Sequence, residues 1–367
     1  MTAKIGLSLS GGGYRATLFN LGALWRLNEL GILSNLSIVS SVSGGSITSA
    51  HLALEWKNLN FNAVGVATNF DTLISQPIEK FCSIGIDYKI GLKGFFNPFS
   101  DTATEMAKEY EGLFGQKTLS DLPNDKDGKG PKFVILSTNY QTGSAFRFMH
   151  DGFADYQLGE YEAPEVTVAT AVAASSAFPP IFSPLTLRLK PEHWTNAKTQ
   201  DLPITVWKRP TLVDGGVYDN LGLQAIRDHV DVALVSDAGK PFAKKGKQRR
   251  NWFSQLGRVR DIGMNQALAQ RKSELIAAFR RKAIQGTYWG ITTDIDKYNT
   301  NPSFYKMNEQ AQSQSRIRTR LNAFTRLEQN GLVNWGYALS DAAIRTYTPD
   351  IIRCNSAPNW PKEPNCL

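Results

Sequence analysis

The first 56 residues alternate between short apolar runs and segments whose apolar residues recur at helical spacing. The run Lys4–Ser10 ends in three glycines and predicts a strand followed by a tight loop. Leu18–Leu30 shows one apolar helical face, and Gly31 is a typical residue to end that helix. Leu36–Val42 predicts a second strand and Ile47–Trp56 a second helix. This β-α-β-α order predicts a parallel sheet with helices on its faces.

The central part of the chain is less regular, but it contains further apolar runs. Val166–Ser175 is rich in small residues and predicts a helix that stops before a Phe-Pro-Pro sequence. The other predicted elements are strands at Lys132–Asn139, Phe146–His150, Thr211–Val213 and Val232–Ser236, and a helix at Leu221–His229.

Beyond Lys240 the chain becomes basic and polar, and helical spacing dominates. The predicted elements are a long Arg-rich helix from Trp252 to about Lys282, a strand at Tyr288–Thr293, a helix at Arg316–Gln329 ended by Asn330-Gly331, and a helix at Trp335–Thr346. We therefore expect one domain over residues 1–346, in which residues 240–346 form a helical part with a regulatory or membrane-facing role. Residues 347–367 contain four prolines and predict an irregular tail.

Composition and charge narrow the class of protein. Apolar residues make up 42% of the 367 residues, which is enough for a sizeable core. Lys and Arg exceed Asp and Glu by 41 to 33, so the net charge of +8 suits an anionic partner such as a membrane surface, a nucleic acid or a charged substrate. Prolines or polar residues interrupt the longest uncharged stretches, and the N-terminus lacks the apolar region of a signal peptide. We expect a cytoplasmic protein that is soluble or peripheral on a membrane.

The three cysteines form neither a disulfide framework nor a Cys-x-x-Cys metal signature. A reducing compartment is the simplest interpretation. Pairing of Cys354 with Cys366 stays open.

Ser43 lies in the sequence Ser41-Val42-Ser43-Gly44-Gly45, between a predicted strand and a predicted helix. This order is typical of a nucleophile elbow, in which a strained turn holds the serine hydroxyl out of the sheet at the start of a helix. The pattern G-x-S-x-G is nearly met, with Ser41 in place of the first glycine. The alternative is that Ser43 only caps the helix that follows.

Gly11, Gly12 and Gly13 follow the first strand, and Arg15 follows them closely. Consecutive glycines leave backbone N–H groups open to converge on an anion, as an oxyanion hole requires. The loop also fits the G-x-G-x-x-A pattern of dinucleotide sites, but the second strand lacks the acidic residue that would bind a ribose. A turn required only for close packing is the remaining alternative.

A serine nucleophile needs a base, and Asp214 is a better candidate than any of the four histidines. His51 lies on the helix that leaves the elbow, His193 lies in a polar loop, and His229 fits a helix end. Asp214 instead ends a short apolar strand and precedes two glycines, and a partly desolvated carboxylate can accept a serine proton directly. Asp219 is typical of a helix N-cap and is left out of the chemistry.

Four blocks in this order resemble the patatin-like phospholipases. They are SLSGGGYRA at Ser8–Ala16, SVSGG at Ser41–Gly45, ASSAFPPIFSP at Ala174–Pro184 and DGGVYDNLG at Asp214–Gly222. The resemblance implies an α/β class protein with a three-layer α/β/α fold, a mostly parallel central sheet and additional C-terminal helices. Ser10, Ala16 and Ser41 depart from residues that are common in the family.

The resemblance also implies the chemistry. Ser43 is the expected nucleophile and Asp214 the expected base of a dyad without histidine. The expected oxyanion hole consists of Gly11, Gly12 and Gly13, with Arg15 at the family's basic position. The family cleaves fatty acyl esters of glycerolipids, and its chemistry uses neither a metal nor a cofactor.

Two segments are candidates for contact with substrate or membrane. The basic residues Lys244, Lys245, Arg249 and Arg250 precede Trp252 and could attract anionic head groups. The second segment contains Phe95 and Phe96 beside lysines and could contact lipid or cover the site. A solvated loop in the first case and core packing in the second are the alternatives.

The sequence thus predicts a serine lipid acyl hydrolase acting on phospholipids or lysophospholipids at a membrane surface. An esterase or thioesterase acting on small soluble substrates is one alternative. A lipid-binding protein without turnover is another. No nucleic-acid recognition fold is evident in the sequence, so we expect no nucleic-acid partner.

Overall fold

The structure of the chain is a computed structural model that describes residues 3–86, 102–199, 201–244, 246–247, 251–298 and 313–363. Its strands are β1 (Ile5–Leu9), β2 (Leu36–Val42), β3 (Lys132–Asn139), β4 (Ala145–Met149), β5 (Gly152–Asp155), β6 (Gly159–Glu162), β7 (Leu185–Thr186), β8 (Trp194–Thr195), β9 (Thr211–Asp214), β10 (Val232–Asp237) and β11 (Gln285–Gly290). Its α-helices are α1 (Gly13–Glu29), α2 (Gly44–Glu55), α3 (Gln76–Cys82), α4 (Thr102–Phe114), α5 (Val168–Ser176), α6 (Ile204–Lys208), α7 (Gly216–Asp219), α8 (Trp252–Arg280) and α9 (Arg326–Tyr347).

One sheet contains all of these strands, and its centre is parallel. The central order is β11-β10-β1-β2-β3, and every neighbouring pair among these five strands is parallel. Strands β4, β5, β6 and β8 extend the β3 edge in antiparallel order, and β9 pairs antiparallel with the end of β3 and with β7. The predicted α/β fold with a mostly parallel central sheet is confirmed.

Helices cover both faces of the parallel strands. Along β10, Val232 and Leu234 join the main core with α1, α2 and α9, whereas Ala233 and Val235 point to a second apolar cluster under α8. This alternation follows from the two-residue side-chain period of a strand that is buried on both faces. Strands β1, β2 and β9 end at Leu9, Val42 and Asp214, next to the triple-glycine loop and the turn at Ser43.

Helices α1 and α9 cross at glycines. A Cβ atom at Gly22 of α1 would lie 1.9 Å from the carbonyl oxygen of Val333, and one at Gly336 of α9 would lie 1.9 Å from that of Phe19. Only glycine allows the two backbones to approach so closely. A buried ion pair between Arg26 and Asp341, at 2.6 Å, joins the same two helices.

Two predicted helices differ from the structure. Residues 326–347 form the single helix α9, so the predicted helix at Arg316–Gln329 and its end at Asn330-Gly331 are wrong. The true start is a capping box in which Thr325 and Glu328 each bind the other's backbone N–H. The predicted helix at Leu221–His229 is also wrong, because this segment contains a single 3-10 turn, at Leu223–Ala225, and no α-helix.

Candidate active site

Ser43 occupies a strained turn between β2 and α2. Its φ of 51° and ψ of −121° lie in a region that residues with a side chain seldom adopt, and α2 begins at the next residue. The Ser43 hydroxyl makes no helix-capping hydrogen bond. The geometry therefore has the strand–turn–helix form of a nucleophile elbow and leaves the hydroxyl available for another partner.

The small residues around Ser43 are required by close packing. A Cβ atom at Gly44 would lie 2.0 Å from the carbonyl oxygen of Gly13, and one at Gly45 would lie 2.4 Å from that of Leu9. Ser41, which replaces the first glycine of the elbow pattern, is buried and accepts a hydrogen bond from Ser46 at 3.2 Å. The local backbone thus accommodates a serine at this position.

Ser175 holds the elbow from behind. Its hydroxyl oxygen accepts the Ser43 N–H at 2.8 Å and its own O–H donates to the Leu136 carbonyl at 2.6 Å. Ser175 is completely buried at the end of α5. Sequence analysis did not assign it any role, because its contact with Ser43 joins positions 132 residues apart.

Asp214 lies beside Ser43 although it is distant in sequence. Strand β9 runs antiparallel to β3 with Asp214 opposite Ser137, and this pairing brings the carboxylate to the elbow. The Ser43 side chain lies close enough to Asp214 to lower its pKa by hydrogen bonding, and the Gly216 N–H donates to Asp214 Oδ1 at 2.7 Å. Burial raises the pKa of Asp214 from 3.8 to about 6, and these two hydrogen bonds oppose the increase.

The glycine loop after β1 contacts the elbow. A Cβ atom at Gly11 would lie 3.0 Å from Ser43 Cβ, so the loop passes directly beside Ser43 and leaves little room for a side chain there. The N–H groups of Gly12 and Gly13 have no acceptor among the described residues, whereas the Gly11 N–H donates to the Asn220 carbonyl at 3.2 Å. Of the three predicted glycine donors, the Gly11 N–H is thus engaged within the protein, and the N–H groups of Gly12 and Gly13 are open among the described residues.

Gly44 offers a further open N–H that the sequence analysis missed. It is the first residue of α2, where backbone N–H groups have no partner within the helix. No other acceptor for it occurs in the described part of the chain. The residue after the nucleophile commonly contributes to oxyanion holes on elbows of this kind, and this rule was the available signal.

Arg15 does not point its donors at the reacting groups. Its guanidinium donates to the backbone carbonyls of Ser315, Ile317 and Ala238 at 2.6–3.0 Å, and its side chain is completely buried. Desolvation lowers its pKa to about 10, with a smaller opposing effect from Asp237. Arg15 therefore joins the glycine loop to two other segments, and its predicted place in the oxyanion hole gains no support from these contacts.

The four histidines have other surroundings. His51 Nε2 contacts the Leu73 carbonyl at 2.9 Å, and His150 Nδ1 contacts the Leu122 carbonyl at 2.8 Å. His193 and His229 are exposed on the surface. Among the described residues, the titratable side chain beside Ser43 is therefore the Asp214 carboxyl rather than a histidine.

The predicted contact residues are only partly described. Lys244 is exposed, and Trp252 is 71% exposed at the start of α8. Phe95, Phe96, Lys245, Arg249 and Arg250 lie outside the described residues, as does Cys366. Cys82 and Cys354 are free thiols.

Three further properties bear on ligands and on membrane contact. A cavity of about 780 Å³ lies at the opposite end of the sheet, where Leu36, Trp56 and Pro131 line it. Among the described residues, no group of His, Cys, Asp and Glu side chains is arranged to hold a metal ion. The described helices include none long and apolar enough to span a bilayer.

A family model described as patatin-like phospholipase matches residues 7–226, which include Ser43, Asp214 and the glycine loop. No curated protein sequence matches the chain.

Solved structures with a similar fold include human GIVD cytosolic phospholipase A2. The match covers 96% of this chain and 60% of the human chain, with a TM-score of 0.55 and 14% identity. A second structure of that protein, in complex with methyl gamma-linolenyl fluorophosphonate, gives a TM-score of 0.52 at 14% identity over 96% of this chain and 59% of the human one. VipD from Legionella pneumophila gives a TM-score of 0.33 at 18% identity over 87% of this chain and 66% of VipD.

Proposed function

The chain belongs to the patatin-like phospholipase family, and from this premise we propose that it hydrolyses fatty acyl esters of phospholipids or lysophospholipids with Ser43 and Asp214 as its dyad. The single observation that carries the proposal is the position of the buried Asp214 carboxylate beside the strained Ser43 elbow, where the Ser43 side chain acts to lower the pKa of Asp214. The family membership supports lipid acyl hydrolysis, and the geometry supports the assignment of the two groups.

The first half of the reaction transfers the acyl group to Ser43. Ser43 Oγ attacks the ester carbonyl carbon while Asp214 accepts the hydroxyl proton, and the carbonyl oxygen becomes an oxyanion. The open N–H groups of Gly12, Gly13 and Gly44 are the proposed donors to this oxyanion. Collapse of the tetrahedral intermediate breaks the ester C–O bond, and the protonated Asp214 gives its proton to the leaving lysolipid alcohol.

The second half releases the fatty acid. A water molecule attacks the acyl carbon as Asp214 accepts its proton, and the Ser43 oxygen leaves and recovers a proton from Asp214. A base with a pKa of about 6 is ionised at neutral pH and is a better proton acceptor than an ordinary aspartate. Burial of Asp214 thus supports its proposed role.

The test is release of fatty acid from mixed liposomes, read by mass spectrometry. Wild type should release fatty acid, and Ser43→Ala should lower the rate by at least about a thousandfold. Ser176→Ala is the matched control, because Ser176 is a buried serine beside Ser175 whose hydroxyl has no partner among the described residues. Full activity of Ser43→Ala would contradict the proposal.

Two further results separate the alternatives. Turnover of short soluble esters or thioesters without release from liposomes would favour an esterase or thioesterase. Liposome binding without any turnover would favour a lipid-binding protein. Loss of activity in His229→Ala, with Asp214→Asn still active, would move the role of base to His229.

A further inference from the structure

Helix α8 has two different halves. Its later half packs on the sheet, where Leu268, Leu275, Ile276 and Phe279 join the second apolar cluster. Its first half instead presents large apolar side chains to solvent. The exposed fractions are 71% for Trp252, 81% for Phe253, 53% for Leu256, 67% for Val259 and 44% for Ile262. We call these five residues the apolar helix face.

The apolar helix face is continuous. Trp252, Leu256 and Val259 follow the i, i+4, i+7 spacing of one side of a helix, and Phe253 and Ile262 flank them. Single exposed apolar residues are normal on a protein, but five on neighbouring turns form a patch of the kind that marks a binding surface.

Most of the charges around the apolar helix face are positive, and the one acidic residue within residues 252–262 is Asp261, which pairs with Arg260 at 2.9 Å. No Asp or Glu occurs between Asp237 and Asp261, whereas this interval contains eight basic residues. They are Lys240, Lys244, Lys245, Lys247, Arg249, Arg250, Arg258 and Arg260. Of these, Lys240, Lys244, Lys247 and Arg260 are exposed in the described structure. An apolar face bordered by cations complements an anionic bilayer, which offers acyl chains below a negative surface.

Helix α8 also passes the rim of the candidate active site. Arg260 Nη1 donates to the Pro179 carbonyl at 3.3 Å, and Ala177, two residues earlier, accepts the Asp214 N–H at 3.0 Å. Further along the helix, Arg271 donates to the Tyr218 carbonyl in the segment that follows Asp214. The helix is therefore attached to both segments that flank the Asp214 carboxylate.

We infer that the apolar helix face inserts into the interface of an anionic bilayer and holds the Ser43–Asp214 edge of the sheet against the lipid surface. Trp252 and Phe253 provide the inserted rings, and the neighbouring lysines and arginines bind the negative head groups. The inference deepens the proposed function, since it identifies the surface through which that activity reaches its substrate.

The test measures sedimentation of the full chain with vesicles, in a Ser43→Ala background so that lipid turnover does not contribute. Vesicles of phosphatidylcholine with 30% phosphatidylserine are compared with pure phosphatidylcholine. Binding should require the anionic lipid and weaken as salt increases. The double variant Trp252→Ser, Phe253→Ser should lower the partition coefficient by at least about tenfold, because two exposed rings no longer insert.

The matched control replaces exposed apolar residues of α9. Leu327 and Tyr347 are each 59% exposed, and Leu327→Ser, Tyr347→Ser should leave vesicle binding unchanged. Equal binding of the two double variants would overturn the inference. So would light scattering that shows a dimer of the chain dissociated by the Trp252 and Phe253 changes, because the face would then contact a second copy.

Turnover of a short soluble ester separates this inference from the proposed function. With Ser43 present, the Trp252→Ser, Phe253→Ser variant should hydrolyse that ester at the wild-type rate while it loses activity on anionic vesicles. Loss of activity on both substrates would overturn the docking role. Absence of activity in wild type, with vesicle binding that depends on Trp252 and Phe253, would contradict the proposed function and leave the docking surface supported.

Discussion

In the proposed dyad, the environment of Asp214 sets the pH range in which Ser43 is activated. Burial raises the pKa of Asp214 to about 6, and only the ionised carboxylate accepts the serine proton. We therefore predict that kcat/KM for a soluble ester increases tenfold per pH unit below about pH 6 and becomes constant above it. A pH–rate profile measures this directly, and a limb centred near pH 4 would contradict the predicted effect of burial.

The same carboxylate should oppose folding at neutral pH. Its pKa is about 6 in the folded state, against the ordinary value of 3.8 that applies to the unfolded chain. The folded state therefore binds the proton more tightly, and the stability that this proton contributes is lost as the pH rises from 3.8 through about 6. The difference between these two pKa values corresponds to about 3 kcal/mol in the free energy of unfolding. We predict that Asp214→Asn abolishes activity but unfolds at an equal or higher urea concentration than wild type at pH 7.5.

Asp219→Asn is the matched control for that measurement. Asp219 is also buried, but its carboxylate accepts N–H groups from Leu221 and Gln224 at 3.2 and 3.0 Å. Its replacement should reduce the free energy of unfolding by about 1–2 kcal/mol. A similar loss in Asp214→Asn would show that the Asp214 carboxylate stabilises the fold.

In the proposed mechanism, Ser175 is a positioning residue. Ser175→Ala removes the acceptor of the Ser43 N–H and leaves that donor buried at a strained turn. We predict a decrease in kcat of about tenfold with little change in KM, because the variant alters the direction of the nucleophile rather than substrate binding. Steady-state kinetics on a soluble ester measures both parameters. An unchanged kcat would remove Ser175 from the site.

Within single helices, replacement of a glycine by alanine is expected to have opposite effects on stability in α8 and α9. Gly336→Ala in α9 would place a Cβ atom 1.9 Å from the Phe19 carbonyl, whereas Gly257→Ala in α8 meets nothing within 4 Å. Alanine favours a helix over glycine by about 1 kcal/mol. We therefore predict that Gly257→Ala is neutral or stabilising and that Gly336→Ala lowers the free energy of unfolding by at least about 2 kcal/mol. Urea denaturation measures the stability of both variants. Equal stability of the two would contradict the close approach of α1 and α9 at Gly336.

The elements of the parallel centre could be predicted from the sequence because their signal is local. Leu36–Val42 and Lys132–Asn139 coincide with the predicted strands, and α8 begins at the predicted Trp252. The end assigned to Asn330-Gly331 was wrong, since α9 continues through these residues and packs against α1. A glycine that ends a helix and a glycine within one look alike until the neighbouring helix is known.

In the candidate site too, local motifs indicated some residues, whereas contacts between distant segments could not be predicted. The structure brings together Ser43, Asp214, Gly12 and Gly13, and short motifs indicated all four. The Gly11 N–H is occupied by a hydrogen bond to the Asn220 backbone carbonyl, and the Ser43 N–H is held by the Ser175 hydroxyl. These long-range hydrogen bonds leave no local pattern in the sequence, so they could not be predicted.

At the scale of the whole molecule, the sheet gathers the site from distant segments. Strands β1 and β2 end at the glycine loop and at Ser43, and antiparallel β9 brings Asp214 to the same edge. The extension of α8 past this edge and the net charge of +8 suit a protein that works against an anionic surface. The location of the 780 Å³ cavity at the other end of the sheet separates it from the proposed chemistry.

The most direct measurement of the central claim is the rate at which a fluorophosphonate modifies Ser43, with the labelled peptide identified by mass spectrometry. A structural neighbour was solved in complex with a fluorophosphonate, and such a probe reacts with an activated serine. We predict rapid labelling at Ser43 in wild type and in His229→Ala, and labelling slowed by at least about a hundredfold in Asp214→Asn. Absence of labelling at Ser43, or equal rates in wild type and Asp214→Asn, would contradict the claim that Asp214 activates Ser43.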